Sequence, residues 1–333
     1  RKSEIITRLE NYGEGFHLPV RYNTTVTAFE QNFEGDGYLV STQDALLEAR
    51  NVVVATGLYQ KPKLPAFARG LSPRLTQLHS GTYRNPGELP EGAVLVVGSA
   101  QSGCQIAQEL YQSGRRVYLC VSSAGRVPRR YRGKDIYKWM LLSGFLDRTV
   151  DRLPNPQAKF AANPHVTGKD GGMTLNLHQF ARDGVRLLGR LQDGREDKIW
   201  LAVDLKEKLA KADKLEADMV KMIDEYILQN GLESPPESLP VLRDGFDQPE
   251  LLELDLQKAG ISTIIWAVGY DFDFSLVKLP VLDGDGFPIQ QRGVTAFPGL
   301  YFLGMPWLYK MRSGHLAGMG EDAEYIAQQI VKR

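Results

Sequence analysis

The chain has 333 residues, 43% of them hydrophobic, which is enough for roughly two domains with sizeable cores. Its 40 Lys and Arg balance 40 Asp and Glu, so no global field draws in nucleic acid or an anionic membrane surface. Two cysteines, Cys104 and Cys120, offer no disulfide framework and no zinc or dithiol spacing, and the absence of a signal-peptide start or an apolar run of about 18 residues points to a cytoplasmic protein without a bound metal.

Residues 1–12 read as a helix with Ser3 at its N-cap, and 18–30 alternate like strands. Gly35 to Gly37 read as a hairpin turn, followed by strands at 38–40 and 49–57. The second is apolar throughout and reads as a parallel strand buried on both faces. Two prolines mark 58–66 as a linker. From Ala93 onward a buried strand, a glycine-rich turn, an amphipathic helix and a second strand make one complete βαβ unit. Periodicity leaves residues 124–200 open, including the loop-like 163–172, where Asn163, Lys169 and Asp170 read as turn residues. A helix follows over 205–229, with Asp204 and Glu207 as its cap signal and Leu209, Ala212, Leu215, Met219, Met222, Ile223 and Tyr226 on one face. That face reads as packing on the domain that carries the βαβ unit, with a homodimer contact as the second use. Pro235 and Pro236 end the region. Strands at 261–270 and 299–304 and a last helix from about Gly320, carrying Ala323, Ile326, Ala327 and Ile330, complete the chain.

The strongest local signal is Gly98-Ser99-Ala100-Gln101-Ser102-Gly103, between strand and helix as a dinucleotide fingerprint requires. Gly98 permits the tight turn, the small residue at 100 lets backbone approach a pyrophosphate, and Gly103 lets helix and strand pack closely, with free N–H groups at the helix start. About twenty residues on, where an NAD site carries an acid, this chain has Ser122 and Ser123, then Arg126, Arg129, Arg130 and Arg132. Guanidinium groups suit a 2′-phosphate, so the expectation is NADP(H), with Ser122 and Arg126 best placed and Arg129 or Arg130 next. A solvated basic turn is the plainer use of the same run.

Three apolar strands stop at a glycine: 52–57, 264–269 and 300–304. Together with the fingerprint, with Ala55-Thr56-Gly57, Tyr59, Pro62 and Pro65, with His79 and Tyr83, with Ala267-Val268-Gly269-Tyr270, and with the closing stretch 299–323, they resemble the two-dinucleotide-domain flavoproteins. Within that group the chain is similar to flavin-containing monooxygenases, especially the bacterial CzcO-type flavoproteins, over essentially its whole length.

The resemblance implies an α/β fold of two Rossmann-like domains, the NADPH domain inserted in a discontinuous FAD domain. It divides the chain into 1–62 as the first part of the FAD domain, 63–280 as the NADPH domain with a helical insertion at about 134–245, and 281–333 as the rest of the FAD domain. It implies FAD reduced by NADPH and oxygen added at flavin C4a, the resulting hydroperoxide oxygenating a small-molecule substrate. Gly304, Ser313, Gly314 and Gly318 would lie against the flavin; Thr56, Gly57 and Tyr59 at the domain crossover; and Gly269 at a cofactor-facing strand end. His79 and His315 are the candidate catalytic residues. No G-x-G-x-x-G occurs among residues 1–97, so the resemblance also implies a preceding segment of roughly 70 residues, about two βαβ lengths. Of the monooxygenase hallmark, His79 and Tyr83 fit the second half, while Pro73 and Leu75 stand where Phe and Gly belong. That departure keeps two alternatives in view: an NADPH oxidase or flavin reductase without oxygen insertion, and a non-catalytic nucleotide-binding module. A disulfide reductase is disfavoured because it needs a paired dithiol.

Overall fold

The computed structural model describes every residue except Arg1, Glu34, Gly35, Ala124, Ala162, Lys169 and Asp170. The start of the 35–37 turn, and Lys169 and Asp170, therefore lie outside the described residues. The chain forms two compact units, one of residues 1–55, 273–303 and 320–333, the other of 56–272 and 304–319.

In the first unit, strands Val26–Gln31, Tyr38–Thr42 and Leu46–Ala49 form an antiparallel meander. Inward-facing Phe29 meets Tyr38 edge-on at 6.2 Å, and the Tyr38 hydroxyl donates to the Pro298 carbonyl at 2.9 Å. The single strand expected over 49–57 is shorter: only Val52–Val54 is strand, paired in parallel with Leu300–Phe302. Val54 is buried but Val53 is exposed, so burial on both faces is not what this strand shows among the described residues. The last helix, Met319–Lys332, settles on this unit through buried Ile326. Gly293 makes room for it, because a methyl there would stand 2.8 Å from the Ile326 side chain.

The second unit is built on a five-stranded parallel sheet. Its spatial order is Arg186–Leu188, Val117–Cys120, Ala93–Val97, Ile261–Trp266, Thr76–His79. Side chains alternate across such a sheet, which explains the apolar run at 93–97. Val94 and Val96 pack on one face with Cys104, Ala107 and Leu110 of helix Gln101–Gln112 and with Phe180 and Leu209. Leu95 and Val97 pack on the other, against Ile199 and Leu201 of strand Lys198–Leu201 and against Leu256, just past strand Glu253–Asp255; these two strands and Leu191–Arg195 form an antiparallel sheet. Each large apolar side chain buried this way contributes about 1.5–3 kcal/mol before entropy is counted.

The middle of the chain resolves into short pieces held by local caps. Helix Ile136–Leu142 starts at Asp135, which accepts from the Tyr137 N–H at 3.0 Å, and helix Leu177–Arg182 starts at Asn176, which accepts from the His178 N–H at 2.9 Å. The long helix is Leu205–Gln229. The cap expected from Asp204 does not form, because its carboxylate instead accepts from the Arg190 N–H at 2.9 Å. Leu209, Ala212, Met219 and Ile223 are buried as expected, the last two against Val127, Ile136 and Trp139 of the same unit. Residues 304–319 pack on this helical region: Trp307 and Met311 meet Leu146, and Asp147 receives Arg312 at 2.8 Å and Lys310 at 3.3 Å.

Candidate functional site

In open parallel sheets a ligand crevice forms beyond the carboxyl ends of the strands, where neighbouring strands connect to opposite sides. Here Ala93–Val97 leads on to Val117–Cys120 on one side, and Ile261–Trp266 lies on the other. A cleft of about 620 Å³ opens at that point, lined by Gly98, Ala100, Gln101, Ser102 and Ser122 on one wall and by Val268 and Gly269 on the other.

The fingerprint glycines are required by geometry. Gly98 has φ +104°, and a methyl on it would stand 2.5 Å from the Ala267 carbonyl oxygen; one on Gly103 would stand 1.8 Å from the Gly98 carbonyl oxygen. Ala100 precedes the helix in an ordinary extended conformation, φ −76°, so alanine in place of the middle glycine adds no strain. No side chain caps this helix, and its first N–H groups remain available to an anion. Ser99 is buried and pairs with Ser122: the Ser122 N–H donates to Ser99 Oγ at 2.9 Å, and the Ser99 N–H to Ser122 Oγ at 3.3 Å. This brackets the fingerprint turn against the end of the next strand. The Gln101 amide brackets Val166, accepting from its N–H at 3.0 Å and donating to its carbonyl. That contact holds the stretch carrying Phe160 and Asn163, which also line the cleft.

The basic run does not reach this cleft. Arg126 is buried and donates to Asp213 at 2.8 Å, Glu216 at 2.7 Å and Asn176 at 3.2 Å. Burial alone would lower its pKa, but the two carboxylates outweigh that and raise it. Arg129 pairs with Asp135 at 2.7 Å, and Arg130 donates to the carbonyls of Gly171 and Gly172. None of these three arginines, expected at the nucleotide site, is among the residues that line the cleft: the run folds onto the acidic helix 205–229 and its own loop, with Arg126 Nε and Arg129 Nε left without a hydrogen-bond partner. The cations that line the cleft are Lys63 and Arg190, and among its described lining residues there is no carboxylate. In the sequence Arg190 is hidden because 186–188 show no clear periodicity. The signal was there, in an apolar run stopping at Gly189 as three other strands stop at a glycine.

His79 sits at the end of strand Thr76–His79, buried and outside the cleft lining. Its Nδ1 accepts from the Gly81 N–H at 3.1 Å and its Nε2 donates to the Gly269 carbonyl at 3.0 Å, a tautomer inferred from the partners. With both ring nitrogens engaged by backbone, it fixes the Gly269 turn. Tyr59 is exposed, lines the cleft and meets Tyr270 edge-on at 5.3 Å. Thr56 accepts from the Gln60 amide at 2.6 Å, and Gly57 turns the chain with φ +71°.

The closing loop is arranged differently. Ser313 is buried, and its hydroxyl accepts from the Lys310 and Tyr309 N–H groups at 3.0 and 3.3 Å. A methyl on Gly314 would stand 2.8 Å from the Pro306 nitrogen, and one on Gly318 2.0 Å from the Arg312 carbonyl oxygen, while Gly304 turns with φ +77°. His315 is half-buried 6.3 Å from the Tyr137 ring; its Nδ1 has no hydrogen-bond partner, and burial lowers its pKa. None of these residues lines the fingerprint cleft.

The remaining reactive groups are occupied or buried. His165 bonds the Leu175 carbonyl at 3.0 Å, and burial pushes its pKa down to about 4. His178 lies between Asp213 at 3.2 Å and the Gly245 N–H at 3.0 Å. Burial pushes the Cys120 thiol up to about 12 and Cys104 in the same direction, so both are poor nucleophiles. Among the described residues there is no acid, histidine and cysteine cluster fit for a metal, and no helix is long and apolar enough to cross a membrane.

The profile of the pyridine nucleotide-disulphide oxidoreductases matches residues 1–140. A CzcO-like oxidoreductase of Geobacillus kaustophilus is 33% identical over 99% of this chain and 78% of its own length. The structure of a flavin-containing monooxygenase from Stenotrophomonas maltophilia matches with a TM-score of 0.60 at 16% identity, covering 99% of this chain and 77% of that one. The structure of OTEMO in complex with FAD and NADP matches with a TM-score of 0.50 at 13% identity, covering 99% and 71%. The fold is therefore that of the two-dinucleotide-binding-domain flavoprotein monooxygenases. With a third of its residues shared along nearly its whole length, the chain belongs to the family of CzcO-like oxidoreductases.

Proposed function

We propose that this chain is an FAD-dependent monooxygenase that takes its electrons from NADPH and oxygenates a small molecule with molecular oxygen. The observation that carries the nicotinamide assignment is the fingerprint cleft, lined by free helix N–H groups and two cations and by no carboxylate among its described residues. A carboxylate there would favour the ribose diol of NAD and repel a 2′-phosphate. In this reading the unit of residues 56–272 and 304–319 is the NADPH domain and the unit of 1–55, 273–303 and 320–333 is the FAD domain.

The chain's own residues then act by position. The start of helix Gln101–Gln112 holds the pyrophosphate against the dipole's positive end. Gly98 and Gly103 would allow that approach, Ser122 would be placed to meet the adenosine ribose, and the Val268–Gly269 backbone, pinned by His79, would wall the nicotinamide side. For the flavin's pyrophosphate, residues 1–97 offer no second G-x-G-x-x-G turn. FAD, when bound, would supply hydride-accepting and oxygen-activating chemistry. The sequence departure at Pro73 and Leu75 supports a second reading, an NADPH oxidase that releases peroxide without oxygenating a substrate.

Oxygen uptake, peroxide release and substrate consumption, measured together with NADPH and a panel of amine, sulfide and ketone substrates, test the two. The proposal expects a substrate that accelerates NADPH oxidation and suppresses peroxide. Stoichiometric peroxide with every substrate favours the oxidase.

A further inference from the structure

We infer that Arg190 is the residue that reads the 2′-phosphate of the dinucleotide and so sets the preference for NADPH over NADH. The inference rests on the NADPH reading above and deepens it. Strand Arg186–Leu188 lies beside Val117–Cys120 with Leu188 opposite Cys120, and the Val121 N–H donates to the Leu188 carbonyl at 2.9 Å. Two residues past Leu188, Arg190 therefore leaves the sheet next to Ser122, on the side where a dinucleotide held by the fingerprint carries its adenosine ribose.

The backbone of Arg190 is fixed and its side chain is free. Its N–H donates to Asp204 at 2.9 Å, and its carbonyl accepts from the Ala202 N–H at 2.8 Å. Gly189 makes this close approach possible, since a methyl there would stand 1.9 Å from the Ala202 carbonyl oxygen. The Arg190 side chain is exposed, lines the cleft, and has no hydrogen-bond or ion-pair partner among the described residues. The other lining cation, Lys63, is 3.0 Å from Asp271 and partly neutralised. Arg126, Arg129 and Arg130 are paired outside the cleft, with Asp213 and Glu216, with Asp135, and with the Gly171 and Gly172 carbonyls. A guanidinium with its fork unspent, on a fixed backbone beside the ribose-facing serine, is built for two parallel hydrogen bonds to a phosphate. The displaced acid of the long helix's expected cap thus has a use: Asp204 is spent on placing Arg190.

The test is calorimetric titration of the chain with 2′,5′-ADP and with 5′-AMP, two probes that differ by the one phosphate and need no flavin or turnover. The parent protein is expected to bind 2′,5′-ADP more tightly than 5′-AMP. Arg190→Ala should weaken 2′,5′-ADP roughly 10- to 100-fold, as for a lost charge-assisted contact, and leave 5′-AMP unchanged. Arg190→Lys should recover part of the loss, and Arg130→Ala should leave both affinities unchanged. A parent preference that survives in Arg190→Ala overturns the inference while the NADPH reading stands. A parent that binds both probes equally overturns both. Because Arg190 is exposed, an unchanged far-ultraviolet circular dichroism spectrum is expected for each variant, and weakening of both probes alike in Arg190→Ala would count against a phosphate-specific role.

Discussion

Two glycine-rich turns in the second unit look equally suited to a cofactor, and only one leaves its backbone donors open. At 98–103 the glycines bring helix and strand together so that the first N–H groups of helix Gln101–Gln112 have no side-chain cap. At 304–319 the glycines let the loop fold on itself, and the Ser313 hydroxyl accepts two of its N–H groups. Asp147 then ties the loop to the helical region through Arg312 and Lys310. Glycine content marks where backbone approaches closely; whether that approach serves a ligand depends on which donors remain unspent.

The largest expected effect breaks the open turn. Gly103→Val places side-chain atoms against the Gly98 carbonyl, which cannot withdraw without moving the strand end. We expect a stability loss of about 3 kcal/mol in denaturant unfolding and no measurable nucleotide binding. Near-normal NADPH affinity in this variant would remove the fingerprint from the account.

The next effect sharpens the comparison through pH. His165 lies in the stretch that Gln101 brackets, and burial lowers its pKa from 6.5 to about 4. A histidine with a depressed folded pKa binds fewer protons than the unfolded chain between these values, so its contribution is complete above pH 6.5 and is lost as pH falls toward 4. The loss across that window is at most about 3 kcal/mol. His165→Gln should flatten the acid limb of a stability-against-pH curve, and an unchanged limb would assign the acid sensitivity elsewhere.

The smallest effect concerns the closed loop. Burial raises the Asp147 pKa, but hydrogen bonds from Arg312 and Lys310 outweigh it and leave the carboxyl below its usual range. The group is partly exposed, so Asp147→Asn should cost less than about 1 kcal/mol in thermal unfolding. It should also leave nucleotide affinity unchanged; a large fall in affinity would show that the loop is not self-contained.

Much of this architecture is readable from the chain because its signals are local. The βαβ unit at 93–120 combines an apolar strand, a glycine turn and an amphipathic helix within one short stretch, and the long helix at 205–229 shows its face by period alone. What escaped reading depends on distant partners. Arg126 is neutralised by acids 87 and 90 residues away, and the Arg190 backbone is set by Asp204 across a hairpin. A basic run after a strand resembles a phosphate site until the helix that neutralises it is in place. His79 is similar: its residue type suggests proton transfer, whereas its bonds to Gly81 and Gly269 are visible only in the fold.

The most direct test of the central claim is the affinity of the purified chain for NADPH and NADH, measured anaerobically by quenching of nicotinamide fluorescence. The account predicts NADPH binding at least about tenfold tighter, the factor that one charge-assisted phosphate contact supplies. Equal affinities, or tighter NADH, would contradict it.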